Sequence, residues 1–331
     1  MKTGRFFIAP AEPGSRVRCD LCPHRCSIAE GRRGICGVRQ AQGGQIVLPF
    51  YGAASALAMD PIEKKPLYHF HPGSSILSIG FLGCSLRCPF CQNYEISQHT
   101  TRQTRSVTPE ELVAQANEAG AVGIAYTYNE PTVHIEYVME AAELARAAGL
   151  KNVLVTAGYL NPEPTDTLLD LIDAANVDLK TFQADRYRGE LGADLEPVLA
   201  FIRSAAERIH VEVTTLVVPD FNATEEEVER IAAFVAGCGQ DIPLHLSAYF
   251  PHHKLRTRPT EASEIERFVE VARKHLTYVY EGNTGGPADT TCPNCGAALV
   301  SRRRYHVDSS GITADGRCTS CGAETPIVVA A

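Results

Sequence analysis

Eleven of the twelve cysteines in this 331-residue chain fall into three tight groups, and that grouping constrains the fold more than any other feature. They stand at positions 19, 22, 26 and 36, at 84, 88 and 91, and at 292, 295, 318 and 321, with Cys238 alone. The opening residues MKTGRFFIAP hold no apolar core of signal-peptide length, so a reducing, cytoplasmic setting is expected. Thiols kept reduced at such spacing point to metal or cluster ligation rather than to a disulfide framework.

Between the cysteine groups, short apolar runs alternate with helical patterns. Residues 76–81, 122–126, 152–156, 177–179, 210–218, 244–248 and 277–280 read as strands. Thr108-Pro109-Glu110-Glu111 is a capping box with proline at the first helical position, opening a helix towards Gly120. Thr224-Glu225-Glu226-Glu227 repeats the device before a helix that stops near Gly237, and residues 133–148 and 262–275 are helical too. Such alternation predicts an α/β fold with a parallel sheet, as a partial or full (β/α) barrel or a doubly wound sheet. In each case functional groups collect at the carboxyl ends of the strands. Three units are expected: a loop-like, Cys-rich metal-binding segment over 1–50, the barrel over 51–285, and a small module over 286–331. A linker, Asn283-Thr284-Gly285-Gly286-Pro287, introduces the last.

With 44% hydrophobic and 21% charged residues the chain is not a disordered polymer, and no run of 18 apolar residues suggests a membrane span. A net charge of −8 does not support a general nucleic-acid binder. The charge is uneven, since residues 1–40 hold eight Lys/Arg against three Asp/Glu. That basic patch is either a solvated surface or a contact for an anionic partner.

The central group, Cys84-x3-Cys88-x2-Cys91, follows directly on a strand. Three thiolates on one loop can wrap a corner of an iron–sulfur cube and leave the fourth iron open, whereas a structural zinc site recruits a fourth ligand. With Phe90 just before the third cysteine, the loop resembles that of the radical S-adenosylmethionine (SAM) enzymes. The segment 61–70, Pro72-Gly73-Ser74, Gln92-Asn93 and the motif Cys19-x2-Cys22-Pro23-x2-Cys26 with Gly34-Ile35-Cys36-Gly37 are similar to the AmmeMemoRadiSam-system family. Those proteins are relatives of the pyruvate formate-lyase activating enzymes.

The resemblance implies that Cys84, Cys88 and Cys91 hold a catalytic [4Fe-4S] cluster whose unique iron takes SAM. It implies Phe90 near the adenine and Asn129 and Glu130 near the SAM amine, although this chain has Tyr128-Asn129-Glu130-Pro131 where relatives carry Gly-Gly-Glu-Pro. Thr156 and Gly158 would lie near the ribose and Asp178 with Lys180 at the SAM carboxylate, with His245 on a late strand a further contact. An electron donor of flavodoxin or ferredoxin type is implied, as are Memo-like and Amme-type partner proteins.

Cys292-x2-Cys295 and Cys318-x2-Cys321 form two knuckles of zinc-ribbon type, so zinc is expected there, an auxiliary cluster being the alternative. The run Arg302-Arg303-Arg304-Tyr305-His306 lies between them. Cys19, Cys22, Cys26 and Cys36 fit zinc or an auxiliary iron–sulfur cluster equally, with His24 as a substitute ligand. The function expected is reductive cleavage of SAM to a 5′-deoxyadenosyl radical that takes hydrogen from a substrate the sequence does not name. A glycyl-radical-enzyme activase is the alternative within that class, and a non-enzymatic zinc or nucleic-acid scaffold the alternative outside it.

Overall fold

The computed structural model describes residues 1–12, 14–286, 288–303 and 306–329. Pro287 of the linker and Arg304 and Tyr305 of the arginine run lie outside the described residues. The apolar runs form one eight-stranded sheet: β1 (Ala56–Pro61), β2 (Ser75–Gly80), β3 (Gly123–Tyr126), β4 (Lys151–Thr156), β5 (Ala174–Asp178), β6 (His210–Val217), β7 (Leu244–Ala248) and β8 (Val279–Gly282). Spatial order follows chain order, β2 to β8 run parallel, and β1 pairs antiparallel with β2. Strands β1 and β8 form the two edges, so the sheet is a partial (β/α) barrel.

Six helices fill the crossovers: α1 (Pro109–Glu118), α2 (Ile135–Ala147), α3 (Pro162–Leu169), α4 (Leu195–Ala206), α5 (Glu225–Cys238) and α6 (Ala262–Ala272). The expected capping box closes fully on α1, where Thr108 and Glu111 each bond the other's backbone N–H. On α5 only half of it forms. Thr224 Oγ1 accepts from Glu227 N, but the Glu227 carboxylate turns to Thr181, Phe182 and Gln183 and fastens the loop after β5. That helix also runs past Gly237 to Cys238, where Gly239 N donates to Val235 O. Helices α3 and α4 escaped sequence reading because Pro162, Pro164 and Pro197 obscure their periodicity. All three occupy a first turn, where a missing N–H costs nothing.

Residues 1–50 are largely loop, as expected, but their short strands pair into two small antiparallel sheets. Lys2–Thr3, Gln45–Leu48 and Gln40–Gln42 make one, and Phe7–Ile8, Val17–Cys19 and Ser27–Ile28 the other. Strands of two to four residues are too short to show an alternating pattern. A buried ion pair fastens this segment to the barrel: Arg39 Nη1 lies 2.8 Å from Glu136 Oε2 on α2.

The segment after β1 plugs the barrel. Ile62, Leu67 and Phe70 pack on Ile76, Ala125, Val153 and Ala174, near the amino-terminal ends of the strands. Above them sits Glu212, fully buried, which accepts from Tyr68 N (2.8 Å) and His69 N (2.7 Å). The carboxyl-terminal module (Thr290–Thr291, Ala298–Arg303, His306–Asp308) docks on the same plug. Buried Arg302 donates to Tyr68 O (2.6 Å) and Thr290 Oγ1 (2.9 Å), and Val328 exchanges backbone bonds with His69 and His71. Arg302 is thereby committed to the barrel rather than to an external partner.

Burial lowers the pKa of His69 to about 3 and that of His134 to about 4. Between those values and the unfolded value near 6.5 the unfolded chain binds the extra proton, so stability falls as pH falls through that window and is complete above it. Urea unfolding should show a loss of about 1 kcal/mol or more per histidine between about pH 7.5 and about pH 5.5. In His69→Gln the loss should shrink, and an unchanged slope would contradict the assignment.

Candidate active site

Strand β2 feeds directly into the central cysteine loop, and Asn129 from the loop after β3 holds that junction. Its Oδ1 accepts from Phe81 N (3.0 Å) and its Nδ2 donates to Gly83 O (2.8 Å). Gly83 has φ +86°, and a Cβ there would lie 2.5 Å from Cys36 O, so only glycine admits this approach. The loop is fixed locally: Leu86 N donates to the Cys84 thiol (3.3 Å), Ser97 Oγ lies 3.2 Å from Cys91 Sγ, and Gln98 Nε2 donates to the backbone O of Cys88 (3.0 Å).

Cys84, Cys88 and Cys91 border a cavity of about 410 Å³ at the carboxyl ends of the strands. Phe90, Asn129, Glu130, Thr156, Asp178 and Lys180 line the same cavity. Phe90 is buried with its ring edge-on to Phe221 at 5.1 Å. Lys180 Nζ lies 3.1 Å from Asp178 Oδ2. Burial opposes the Lys180 charge, but Asp178 and Cys88 outweigh it and hold the ammonium above its usual range. Burial pushes the Cys88 thiol up to about 12 against the pull of Lys180, and burial with Glu130 holds the Cys84 thiol well above its usual range. A cationic group would reverse both shifts, as metal centres do for coordinating thiols.

Three predicted contacts sit differently. His245 lies below the cavity and does not line it: its Nε2 is 2.6 Å from Glu212 Oε2, and its ring stacks on Tyr280 at 5.4 Å. Gly158 also stays out of the lining. A Cβ there would come 2.8 Å from the Phe201 ring, and its φ of +65° explains the glycine by packing and turn geometry. Glu130 lines the cavity, but its carboxylate already accepts from Thr132 N, Thr132 Oγ1, Thr156 Oγ1 and Ala157 N at 2.7–3.2 Å. It therefore braces the ends of β3 and β4.

Sequence reading missed one wall of the site. Tyr128 has φ +71° and donates to Asp60 Oδ2 (2.6 Å), which also pairs with buried Lys65 (2.8 Å). Lys65, Tyr128, Thr214 and Ser247 all line the cavity. Thr214 lies mid-strand on β6 and Ser247 near the end of β7, and neither they nor Lys65, reaching in from the plug, carries a motif that marks it in the sequence.

The flanking groups differ in geometry. Among the described residues, Cys292, Cys295, Cys318 and Cys321 are the one set of potential metal ligands gathered within 4.8 Å of one another. Cys292–Cys321 and Cys295–Cys318 are each 3.7 Å apart, matching the roughly 3.8 Å that four thiolates keep around a tetrahedral zinc ion. This set fits zinc, and an auxiliary cluster remains the alternative. In the amino-terminal group Cys19 N donates to Cys26 O (2.9 Å) and Ile35 N to Cys26 Sγ (3.5 Å). Burial and mutual repulsion raise the thiols of Cys22, Cys26 and Cys36. His24 points away, its Nε2 2.8 Å from Ser85 O.

The site is thus a three-cysteine loop over the strand-end cavity of a partial (β/α) barrel. The Radical SAM superfamily profile matches residues 78–235. An uncharacterized protein of Methanocaldococcus jannaschii is 40% identical over 325 residues, covering 95% of this chain and 96% of that protein. A putative glycyl-radical enzyme activating enzyme from the same organism is 26% identical, covering 63% of this chain and 89% of its own. A radical SAM methyltransferase structure from Sphaerobacter thermophilus shares the fold at a TM-score of 0.50 and 17% identity, over 64% of this chain and 67% of that one. The chain belongs to the radical SAM superfamily. It is an enzyme whose cofactors are a [4Fe-4S] cluster and SAM. No described helix is long and apolar enough to cross a membrane.

Proposed function

We propose that Cys84, Cys88 and Cys91 hold the [4Fe-4S] cluster and that SAM fills the adjoining cavity. The observation that carries this is the convergence of all three thiols with Asp178, Lys180 and Thr156 on one cavity. When bound, the cluster supplies the electron that splits SAM into methionine and a 5′-deoxyadenosyl radical. Lys180, oriented by Asp178, takes the SAM carboxylate end. Phe90, braced by Phe221, packs against the adenine, and Glu130 with Thr156 keeps the cavity rim in place. Tyr128 and Lys65, both held by Asp60, form a further wall.

Calorimetric titration of SAM into the reconstituted enzyme tests the assignment. Lys180→Ala should weaken binding about 10–100-fold, the worth of one charge-assisted hydrogen bond. Unchanged affinity would remove Lys180 from the site.

The finer family reading is the AmmeMemoRadiSam-system group, supported by the Pro61–Phe70 motif, with Memo-like and Amme-type proteins as partners and a cytoplasmic, reducing setting. A second reading is a glycyl-radical activase. A neighbouring cavity of about 380 Å³ favours it, because it shares Gln92, Asn93 and Tyr128 with the SAM cavity and extends the site for a peptide strand. A glycyl-radical EPR doublet on a partner protein would select this reading.

A further inference from the structure

The amino-terminal cysteine group is built into the back of the active-site loop. A Cβ on Gly83 would meet Cys36 O at 2.5 Å and Val38 at 2.8 Å, so the two loops touch backbone to backbone. Arg87, lying between Cys84 and Cys88 in sequence, donates to Cys84 O (2.9 Å) and Leu86 O (3.0 Å), and its other arm donates to Ile35 O beside Cys36. His24, between Cys22 and Cys26, reaches Ser85 O. A module meant only to stabilise the fold needs no such intimacy with the reactive loop.

The carboxyl-terminal cysteine group is gathered differently from the other two. The carboxyl-terminal thiols crowd as around a single ion, whereas Cys19, Cys22, Cys26 and Cys36 do not form a set within 4.8 Å, and neither do Cys84, Cys88 and Cys91. A cube holds each thiolate on a different iron and so spreads the sulfurs more widely than one ion does. Exposed Arg16, Arg18, Arg25, Arg32 and Arg33 are interspersed with these cysteines along the chain, Arg18 and Arg25 paired with Asp20, which leaves the segment cationic on a chain of net charge −8. Such a segment steers an acidic partner towards this group.

We propose that Cys19, Cys22, Cys26 and Cys36 ligate a second [4Fe-4S] cluster that receives one electron from an acidic, low-potential carrier protein and passes it to the active-site cluster. One electron leaves the carrier, one reaches the active site, and the second cluster returns to its oxidised state. Arg87 is the positioning residue that couples the two loops. The inference rests on the assignment of Cys84, Cys88 and Cys91 as ligands of the SAM-linked cluster.

The test separates the two claims. The variant Cys84→Ala/Cys88→Ala/Cys91→Ala, reconstituted with iron and sulfide, should keep about four iron and four sulfide and one zinc per chain. Its reduced EPR signal should not respond to SAM. Two zinc ions and no iron in that variant would overturn the second cluster. Failure of the active-site assignment looks different, because the wild type would then lack a SAM-sensitive signal while the variant's iron count still decides the amino-terminal site. For the relay, Cys36→Ala should raise the ratio of dithionite-driven to flavodoxin-driven SAM cleavage about tenfold. A merely structural loss lowers both rates together and leaves the ratio unchanged, which would overturn the relay.

Discussion

Replacing Cys84, Cys88 or Cys91 singly by alanine should lower 5′-deoxyadenosine formation by about three orders of magnitude or more, equivalent to about 4 kcal/mol or more of lost barrier reduction. The loop is held at the Cys84 thiol by Leu86 N, at the Cys91 thiol by Ser97 and at the Cys88 backbone by Gln98, so each position presents its own side chain. Cys36 is committed behind Gly83, and Cys238 lies at the end of α5. Folding should survive the change, because each of the three side chains also faces the cavity and alanine keeps the Cβ that packs on the core. Thermal unfolding close to wild type together with lost SAM cleavage is the expected pair of results. Activity within about tenfold of wild type would remove that residue from the cluster.

Arg39→Met should destabilise the protein by about 3–5 kcal/mol, because it leaves Glu136 buried and without its cation. Arg39 and Glu136 are both nearly inaccessible, at 1% and 6% exposure. Arg39 Nη2 also closes onto Arg5 O at 2.6 Å, so the substitution loosens the whole amino-terminal unit from α2. The double variant Arg39→Met/Glu136→Gln should recover a large part of the loss, since no uncompensated charge then remains. Urea unfolding of the two variants decides the matter. Equal stability of the single and double variants would contradict the buried pair.

The barrel was legible because its strands are continuous apolar runs bounded by capping signals, and Leu244–Ala248 emerges with the expected limits. The cysteine loop was legible because ligand spacing along the chain does not depend on tertiary structure. What the sequence concealed depends on contacts between distant residues. Glu212 on β6 gathers Tyr68 and His69 of the plug, His210 of its own strand and His245 of β7, and this places His245 beneath the SAM cavity instead of in it. The Glu227 side chain gives up its capping role to hold the loop that follows Asp178 and Lys180. Glu130 sits at the expected strand end, yet its carboxylate is saturated by Thr132, Thr156 and Ala157. The closeness of Cys36 to Gly83 has no signature along the chain, since 47 positions separate the two residues.

The most direct measurement is the EPR spectrum of the anaerobically reconstituted, dithionite-reduced enzyme with and without SAM, followed by analysis of the products. A [4Fe-4S]⁺ signal that changes when SAM is added, with 5′-deoxyadenosine formed on incubation, is the result predicted for the Cys84–Cys88–Cys91 cavity. A reduced-cluster spectrum indifferent to SAM, with no 5′-deoxyadenosine, would contradict it.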